Sequence, residues 1–282
     1  LLEYAWGTAI DPEDINQKLS LDDKHEIKAV LLQHNETSTG VLNDLEAIAK
    51  ARGEHPALLI VDAVSSLAAS KLETDAWDLD VVISGSQKAF MIPPGLATIS
   101  VSKRAWEVLE RNNSHPYYFD LRMCRDYLTK GQTPFTPAVP QFFGLREALK
   151  IMKDWGLENI IKRHMLHRDM VRAGVKAVGL ELVAEDQIAS PAVTAVRLPE
   201  GITPQDITTK LREEHNIVVA GGQGKLKDET FRIGHLGYVQ PADLIAALSA
   251  LEIVLSNLGK DIKLGSAVAA AQKVLIERGT VL

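Results

Sequence analysis

A single cysteine, Cys124, stands in 282 residues. That count excludes a disulfide framework, and it excludes a thiolate metal site built within one chain. A reducing compartment, the cytoplasm, is therefore the expected setting. Long apolar runs are also missing: none approaches the span of a bilayer, so no membrane-spanning helix is expected. The opening Leu1-Leu2-Glu3-Tyr4-Ala5-Trp6 lacks the basic region and cleavage pattern of a signal peptide. It reads instead as the end of a strand without an initiator methionine. The chain is thus expected to be the greater part of a longer protein, its amino-terminal part missing. Excess positive charge is absent too, with 31 Lys and Arg against 37 Asp and Glu and a net charge of −6. Scattered basic residues argue against a nucleic-acid footprint and favour small-molecule or protein partners. What is present is a globular composition, 46% hydrophobic and 24% charged, long enough for one large domain and a smaller one.

Three segments of the first hundred residues share one design, an apolar run of strand length that stops abruptly in polar residues and glycine. Ile27 to Leu32 ends in Gln33-His34-Asn35-Glu36-Thr37-Ser38-Thr39-Gly40, and Ala57 to Val61 ends in Asp62-Ala63-Val64-Ser65-Ser66. Leu79 to Ile83 ends in Ser84-Gly85-Ser86-Gln87-Lys88. Such runs predict buried parallel strands. Between the first two, Val41 to Arg52 places Leu42, Leu45, Ile48 and Ala49 on one helical stripe closed by Gly53, which gives a β-α-β unit. Ligands of such sheets collect beyond the carboxyl ends of the strands, where these polar residues lie.

Pro93-Pro94-Gly95 predicts a turn before a strand from Leu96 to Ser102, and Ala105 to Arg111 a short helix. The prolines of Gly131-Gln132-Thr133-Pro134-Phe135-Thr136-Pro137 exclude regular structure there. Helices are expected from Gln141 to Met152 and from Glu158 to Gly174, and the break at Trp155-Gly156-Leu157 is the expected domain boundary, giving units 1–155 and 156–282. Beyond it strands over 194–198, 217–220 and 230–233 alternate with helices over 204–215 and 241–258, a small α+β layer.

Lys88 is the most specific chemical signal. A lysine at the end of a buried strand is desolvated, and a neutral amine can form a Schiff base with an aldehyde cofactor. A loop lysine that snorkels to solvent is the competing reading. Asp62, directly after its strand, can supply the anion that a pyridinium nitrogen needs, or can cap the next turn. Thr37, Ser38 and Thr39 offer hydroxyls to a ring oxygen or cap the helix beginning near Val41. Arg232 lies inside a short apolar strand and requires a carboxylate partner, an internal ion pair being expected ahead of a substrate's α-carboxylate. Three other patterns fall short. Gly221-Gly222-Gln223-Gly224-Lys225 is followed by Leu226 where a phosphate loop needs Ser or Thr. His164 and His167, beside Lys162, Arg163 and Arg168, read as a solvated helix face rather than metal ligands. No zinc-protease or nucleophile-elbow pattern occurs.

Taken together, Thr37-Ser38-Thr39-Gly40, Val61-Asp62-Ala63-Val64-Ser65, Ser84-Gly85-Ser86-Gln87-Lys88 and Phe231-Arg232-Ile233-Gly234 resemble the class V aminotransferases. The similarity points to the alanine–glyoxylate and serine–glyoxylate (serine–pyruvate) branch and runs in order along the chain. It implies an α/β protein of pyridoxal-phosphate fold type I, with a mostly parallel central sheet covered by helices and a smaller α+β carboxyl-terminal domain. It further implies that Lys88 is the Schiff-base lysine, that Asp62 pairs with the pyridine nitrogen and that Val64 packs on the ring. Thr37 would bond the ring hydroxyl, Gln87 and Thr136 would reach the phosphate, and Arg232 would hold the substrate carboxylate. In this family the Thr136 loop serves the other subunit's site, which implies a homodimer. Two departures stand out. The family's Ser-Gly-rich phosphate turn and its ring-stacking aromatic precede Leu1, and Thr133 stands where some relatives carry a tyrosine.

The implied activity is transfer of an amino group from alanine or serine to glyoxylate or pyruvate. A cysteine-desulfurase-like lyase would need a reactive thiol in a mobile loop, for which Cys124 is the sole candidate, and a non-catalytic truncated relative is the third alternative. Some members of the family have carried a hydrogenase-subunit label, yet one cysteine gives no ligand set for such a metal centre.

Overall fold

In the computed structural model, which describes residues 1–114 and 116–281, the three apolar runs become neighbouring strands of one sheet. After helix α1 (Pro12–Ser20), strands β1 (Ala29–Gln33), β4 (Leu58–Asp62) and β5 (Val81–Gly85) run parallel, with Gln33 opposite Asp62 and Asp62 opposite Ile83. Strand β6 (Ala97–Val101) closes the sheet antiparallel to β5, its Ala97 opposite Gly85. Because β1, β4 and β5 point the same way, Gln33, Asp62 and Gly85 share one edge, and Lys88 follows three residues later. Helix α2 (Leu45–Arg52), started by the Asp44 side chain on the Ala47 amide, buries Leu45, Ile48 and Ala49. They join Leu59, Val61 and Val82 in one apolar core.

The first turns of the expected Val41 helix are a hairpin instead. β2 (Asn35–Glu36) pairs with β3 (Val41–Leu42), and the helix begins only at Leu45. Thr39 therefore caps no helix; that role falls to Asp44. Gly40 at the hairpin end has φ +71°, and a Cβ there would lie 3.1 Å from the Val193 carbonyl, so only glycine lets the hairpin dock on the second sheet.

Asp80, fully buried at the start of β5, fixes the far end of the sheet. It accepts from the Leu59 amide at 2.8 Å, Ser102 Oγ at 2.8 Å, and Arg104 Nε and Nη2 at 2.9 and 2.7 Å, with Arg52 Nη1 at 3.4 Å. Helices α3 (Lys103–Arg111) and α4 (Leu121–Leu128) precede the proline-bracketed loop.

Helices α5 (Val139–Trp155) and α6 (Leu157–Ala177) meet at Gly156, whose φ of +80° makes the break foreseen at Trp155-Gly156-Leu157. Beyond it, β7 (Val193–Arg197), β8 (Ala220–Gly221) and β9 (Thr230–Gly234) form an antiparallel sheet in the order β7-β9-β8. Helices α7 (Pro204–His215), α8 (Pro241–Asn257) and α9 (Ser266–Arg278) pack with α6 around Phe231, Ile233, Leu248 and Leu251. At Gly174 of α6 a Cβ would fall 2.6 Å from Leu248 Cδ1 and 3.1 Å from the Ala267 carbonyl, a measure of how closely α6, α8 and α9 approach. Glu252 binds this layer from within, accepting from the Gly265 and Ala267 amides at the start of α9.

One reading is overturned here. His164 and His167 are 1% and 0% exposed, and Arg163 beside them is 1% exposed, so this face of α6 is core rather than solvated surface. The charged neighbours in sequence suggested water, but α6 is enclosed by α8, α9 and the 235–239 segment.

Candidate active site

A cleft of about 810 Å³ opens where the carboxyl edge of the parallel sheet faces the second sheet. Its walls bring together Thr37, Asp62, Val64, Gln87, Lys88 and Arg232, six of the seven positions singled out in the sequence. Thr136 is the exception: it lies exposed in the proline-bracketed loop and does not line this chain's cleft.

Local structure explains each placement. Asp62 ends β4 and uses Oδ1 to accept from the Val64 amide at 2.9 Å, so it does cap the following turn while its carboxylate stays open to the cleft. Thr37 Oγ1 lies 2.9 Å from Ser65 Oγ, which joins the hairpin to the β4 turn. Gln87 folds back over Gly85: a Cβ at Gly85 would stand 2.7 Å from Gln87 Oε1, so glycine leaves the space that the amide occupies. Lys88 is half-buried at the head of a turn in which the Met91 amide donates to its carbonyl at 3.0 Å. Met91 itself is forced to φ +62°, an uncommon conformation for a side-chain-bearing residue.

Arg232 corrects an expectation. No carboxylate forms an ion pair with it among the described residues. Its guanidinium donates to neutral oxygens, Nε to the Gly221 carbonyl at 2.9 Å and Nη1 to Gln223 Oε1 at 2.9 Å and the Thr37 carbonyl at 3.3 Å. Burial holds its pKa below the usual value, and the nearby Glu36 charge offsets part of that. A half-buried cation hydrogen-bonded only to neutral oxygens retains a strong attraction for an anion. Glu36 also lines the cleft, with Oε1 occupied by the Ser38 amide at 2.9 Å and Ser38 Oγ at 2.6 Å.

One cleft residue was not foreseen in the sequence. The carboxamide of Asn35 is 5% exposed, lines the cleft, and has no hydrogen-bond partner at either Oδ1 or Nδ2. Leaving a buried amide unpaired costs on the order of 1–3 kcal/mol, so Asn35 stands ready for a polar ligand. Its signal was its position two residues after a buried strand, where an amide has little reason to be. No group of three or more His, Cys, Asp or Glu among the described residues could hold a metal ion.

Comparison with known proteins gives this arrangement its family. The family model described as "Aminotransferase class-V" matches residues 5–228. A protein of Synechococcus sp. (strain PCC 6716) named "Soluble hydrogenase, small subunit" is 48% identical over 96% of this chain and 71% of its own length. The L-aspartate–glyoxylate aminotransferase of Paracoccus denitrificans is 39% identical over 96% of this chain and 69% of its own. The serine–glyoxylate aminotransferase of Methylorubrum extorquens is 38% identical, with coverages of 98% and 70%. Among solved structures, the ureidoglycine–glyoxylate aminotransferase of Bacillus subtilis superposes with a TM-score of 0.91 at 34% identity, covering 98% of this chain and 71% of that one. The chain thus spans about 70% of these relatives' length. An α/β architecture with a parallel-containing sheet, a cleft at its carboxyl edge and these similarities agree, and the chain belongs to the class V aminotransferases, fold type I transaminases that work with pyridoxal phosphate.

Proposed function

We propose that the protein moves an amino group from a small neutral amino acid, alanine or serine, to glyoxylate or pyruvate. The observation that carries this reading is the charge inventory of the cleft. Its basic side chains are Lys88 and Arg232, and its other ionisable side chains, Glu36 and Asp62, are acids. One cation remains for a carboxylate once Lys88 is engaged in the chemistry. A second carboxylate on the donor would face Glu36 and find no matching charge.

The residues present fit the cofactor. An aldehyde needs an amine, which Lys88 offers; a pyridinium nitrogen needs an anion, which Asp62 offers; a ring hydroxyl needs polar partners, which Thr37 and the unpaired Asn35 amide offer. Val64 would supply an apolar contact for the ring, and Gln87 would offer its amide to the phosphate. Pyridoxal phosphate, when bound, supplies an electron sink that stabilises negative charge at the substrate's α-carbon. Lys88 Nζ takes the proton from that carbon as general base, and Arg232 fixes the substrate's carboxylate. We assign Thr136 to the phosphate of a partner subunit's site, in a homodimer. Exposed Tyr117, Tyr118, Phe119, Phe142 and Phe143 next to that loop support such an interface. The boundary at Gly156 is supported by the two larger apolar clusters, which lie one on each side of it, while a small third cluster joins Ala89 and Met152 to Ile160 across it. No helix among the described residues is long and apolar enough to cross a membrane, and the lone cysteine suits the cytoplasm.

The test is a panel of half-reactions on the full-length enzyme with alanine, serine, aspartate and glutamate. Alanine or serine should give the highest kcat/KM; a higher value for aspartate or glutamate overturns the small-donor reading. Arg232→Ala should weaken every donor similarly, by about 2–4 kcal/mol of transition-state stabilisation, because all share the α-carboxylate.

A further inference from the structure

Lys88 is gripped from behind as well as lined from within the cleft. Its carbonyl faces Gly237, where a Cβ would fall 3.3 Å from Lys88 O and 3.6 Å from Met91 Cγ, at a φ of +83°. Only glycine permits so close an approach. Gly237 is in turn held from α6 through both of its polar backbone atoms. Its amide donates to His164 Nε2 at 3.1 Å, and its carbonyl accepts from Arg163 Nη1 at 2.9 Å. Arg163 Nη2 also donates to the Val239 carbonyl, and the guanidinium lies 5.2 Å from the Trp155 ring centroid.

The tautomer of His164 follows from these contacts. Its Nδ1 lies 2.8 Å from the Ile160 carbonyl, which can only accept, so the ring proton is on Nδ1 and Nε2 is bare for the Gly237 amide. The imidazole must be neutral to act in this way, and burial pushes its pKa to about 4. Arg163 has no carboxylate ion pair among the described residues, and its hydrogen bonds go to the backbone carbonyls of Gly237 and Val239. A charged, fully buried side chain spent on two carbonyls would be a costly way to hold an ordinary loop. The same loop continues from the Arg232 strand, and Gly234 and Leu236 line the cleft.

We propose that Arg163 and His164 are positioning residues for Lys88, holding Gly237 as a wedge against the Lys88 carbonyl and so setting where the lysine amine stands in the cleft. Neither touches the cleft itself. The inference rests on Lys88 being the cofactor lysine, and borohydride reduction of the holoenzyme followed by peptide mapping tests that separately. A cofactor label on a residue other than Lys88 overturns that assignment; a label on Lys88 leaves the wedge to be tested on its own.

The experiment compares the full-length holoenzyme with His164→Leu, His164→Gln and Gly237→Ala. Leucine cannot accept from the Gly237 amide, whereas glutamine offers an oxygen at similar reach. His164→Leu should lower kcat roughly ten- to a hundredfold with little change in KM, as small misplacements of a catalytic group do. It should also move the pH midpoint of the bound cofactor's visible absorption by about half a unit or more, because the surroundings of the lysine nitrogen change. His164→Gln should restore most of both. Should His164→Leu fail to fold, Gly237→Ala carries the same test, since its Cβ bears directly on Lys88 O while leaving Arg163 and His164 intact. Folded variants with a wild-type spectral midpoint and wild-type kcat would overturn the proposal, as would a loss confined to thermal stability.

Discussion

Acidification should unfold this protein well before its carboxylates protonate, and the cause is four buried imidazoles. His34, His164 and His167 have pKa values pushed down to about 4, and His235 to about 3, in every case mainly by burial. An unfolded histidine takes its proton near pH 6.5. The unfolded chain therefore binds more protons throughout the interval between pH 6.5 and about 4, and stability falls as pH drops through it. Above pH 6.5 the contribution is fully present. From pH 8 to pH 5 each site costs about 2 kcal/mol by proton linkage, so four acting independently cost about 8, comparable with a whole domain's stability of about 5–15 kcal/mol. Carboxylates such as Asp186, whose pKa is lowered by Lys176 and Arg172, lose their contribution only below the ordinary carboxylate range, outside this window.

His167 provides the sharpest control. No acceptable hydrogen bond meets either of its ring nitrogens, although the His235 backbone lies close enough to temper the downward shift. His167→Leu should change stability little at pH 8 and improve it by about 2 kcal/mol relative to wild type at pH 5. The assay is urea unfolding followed by circular dichroism at pH 8, 6.5 and 5. Equal stability at pH 8 and pH 5, or a His167→Leu effect independent of pH, would refute the reasoning.

Two further outcomes are expected. Asp62→Asn should fold normally, since an amide oxygen can still cap the Val64 amide, yet lose two or more orders of magnitude in kcat because a neutral side chain cannot pair with a pyridinium nitrogen; steady-state kinetics with near-normal turnover would remove Asp62 from its role. Asp80→Asn should destabilise the fold by about 1–3 kcal/mol, because Arg52 and Arg104 lose the buried anion between them but keep Asp78 as a second partner; a urea midpoint within error of wild type would show that the network contributes little.

The site was legible in sequence wherever chemistry followed directly from strand direction. Runs of apolar residues ending in polar ones require buried parallel strands, and parallel strands place Asp62 and Lys88 at one edge whatever else the fold does. Positions depending on contacts distant in sequence were hidden. Val41 and Leu42 fit a helical stripe, but pairing with Asn35 and Glu36 draws them into a hairpin whose docking on Val193 brings Thr37 to Arg232. Arg232 implied a partner carboxylate; the loop carrying Gly221 and Gln223 supplies neutral oxygens instead, and its residues are recognisable as partners only once β8 pairs with β9. His164 and His167 sit among charged neighbours that read as a wet surface, and only the packing of α8, α9 and the 235–239 segment on α6 makes that face dry. Local sequence fixes hydrogen-bonding capacity and periodicity. Which of those groups loses its water, and therefore which proton or anion it can hold, is decided by what the tertiary structure packs on top of it.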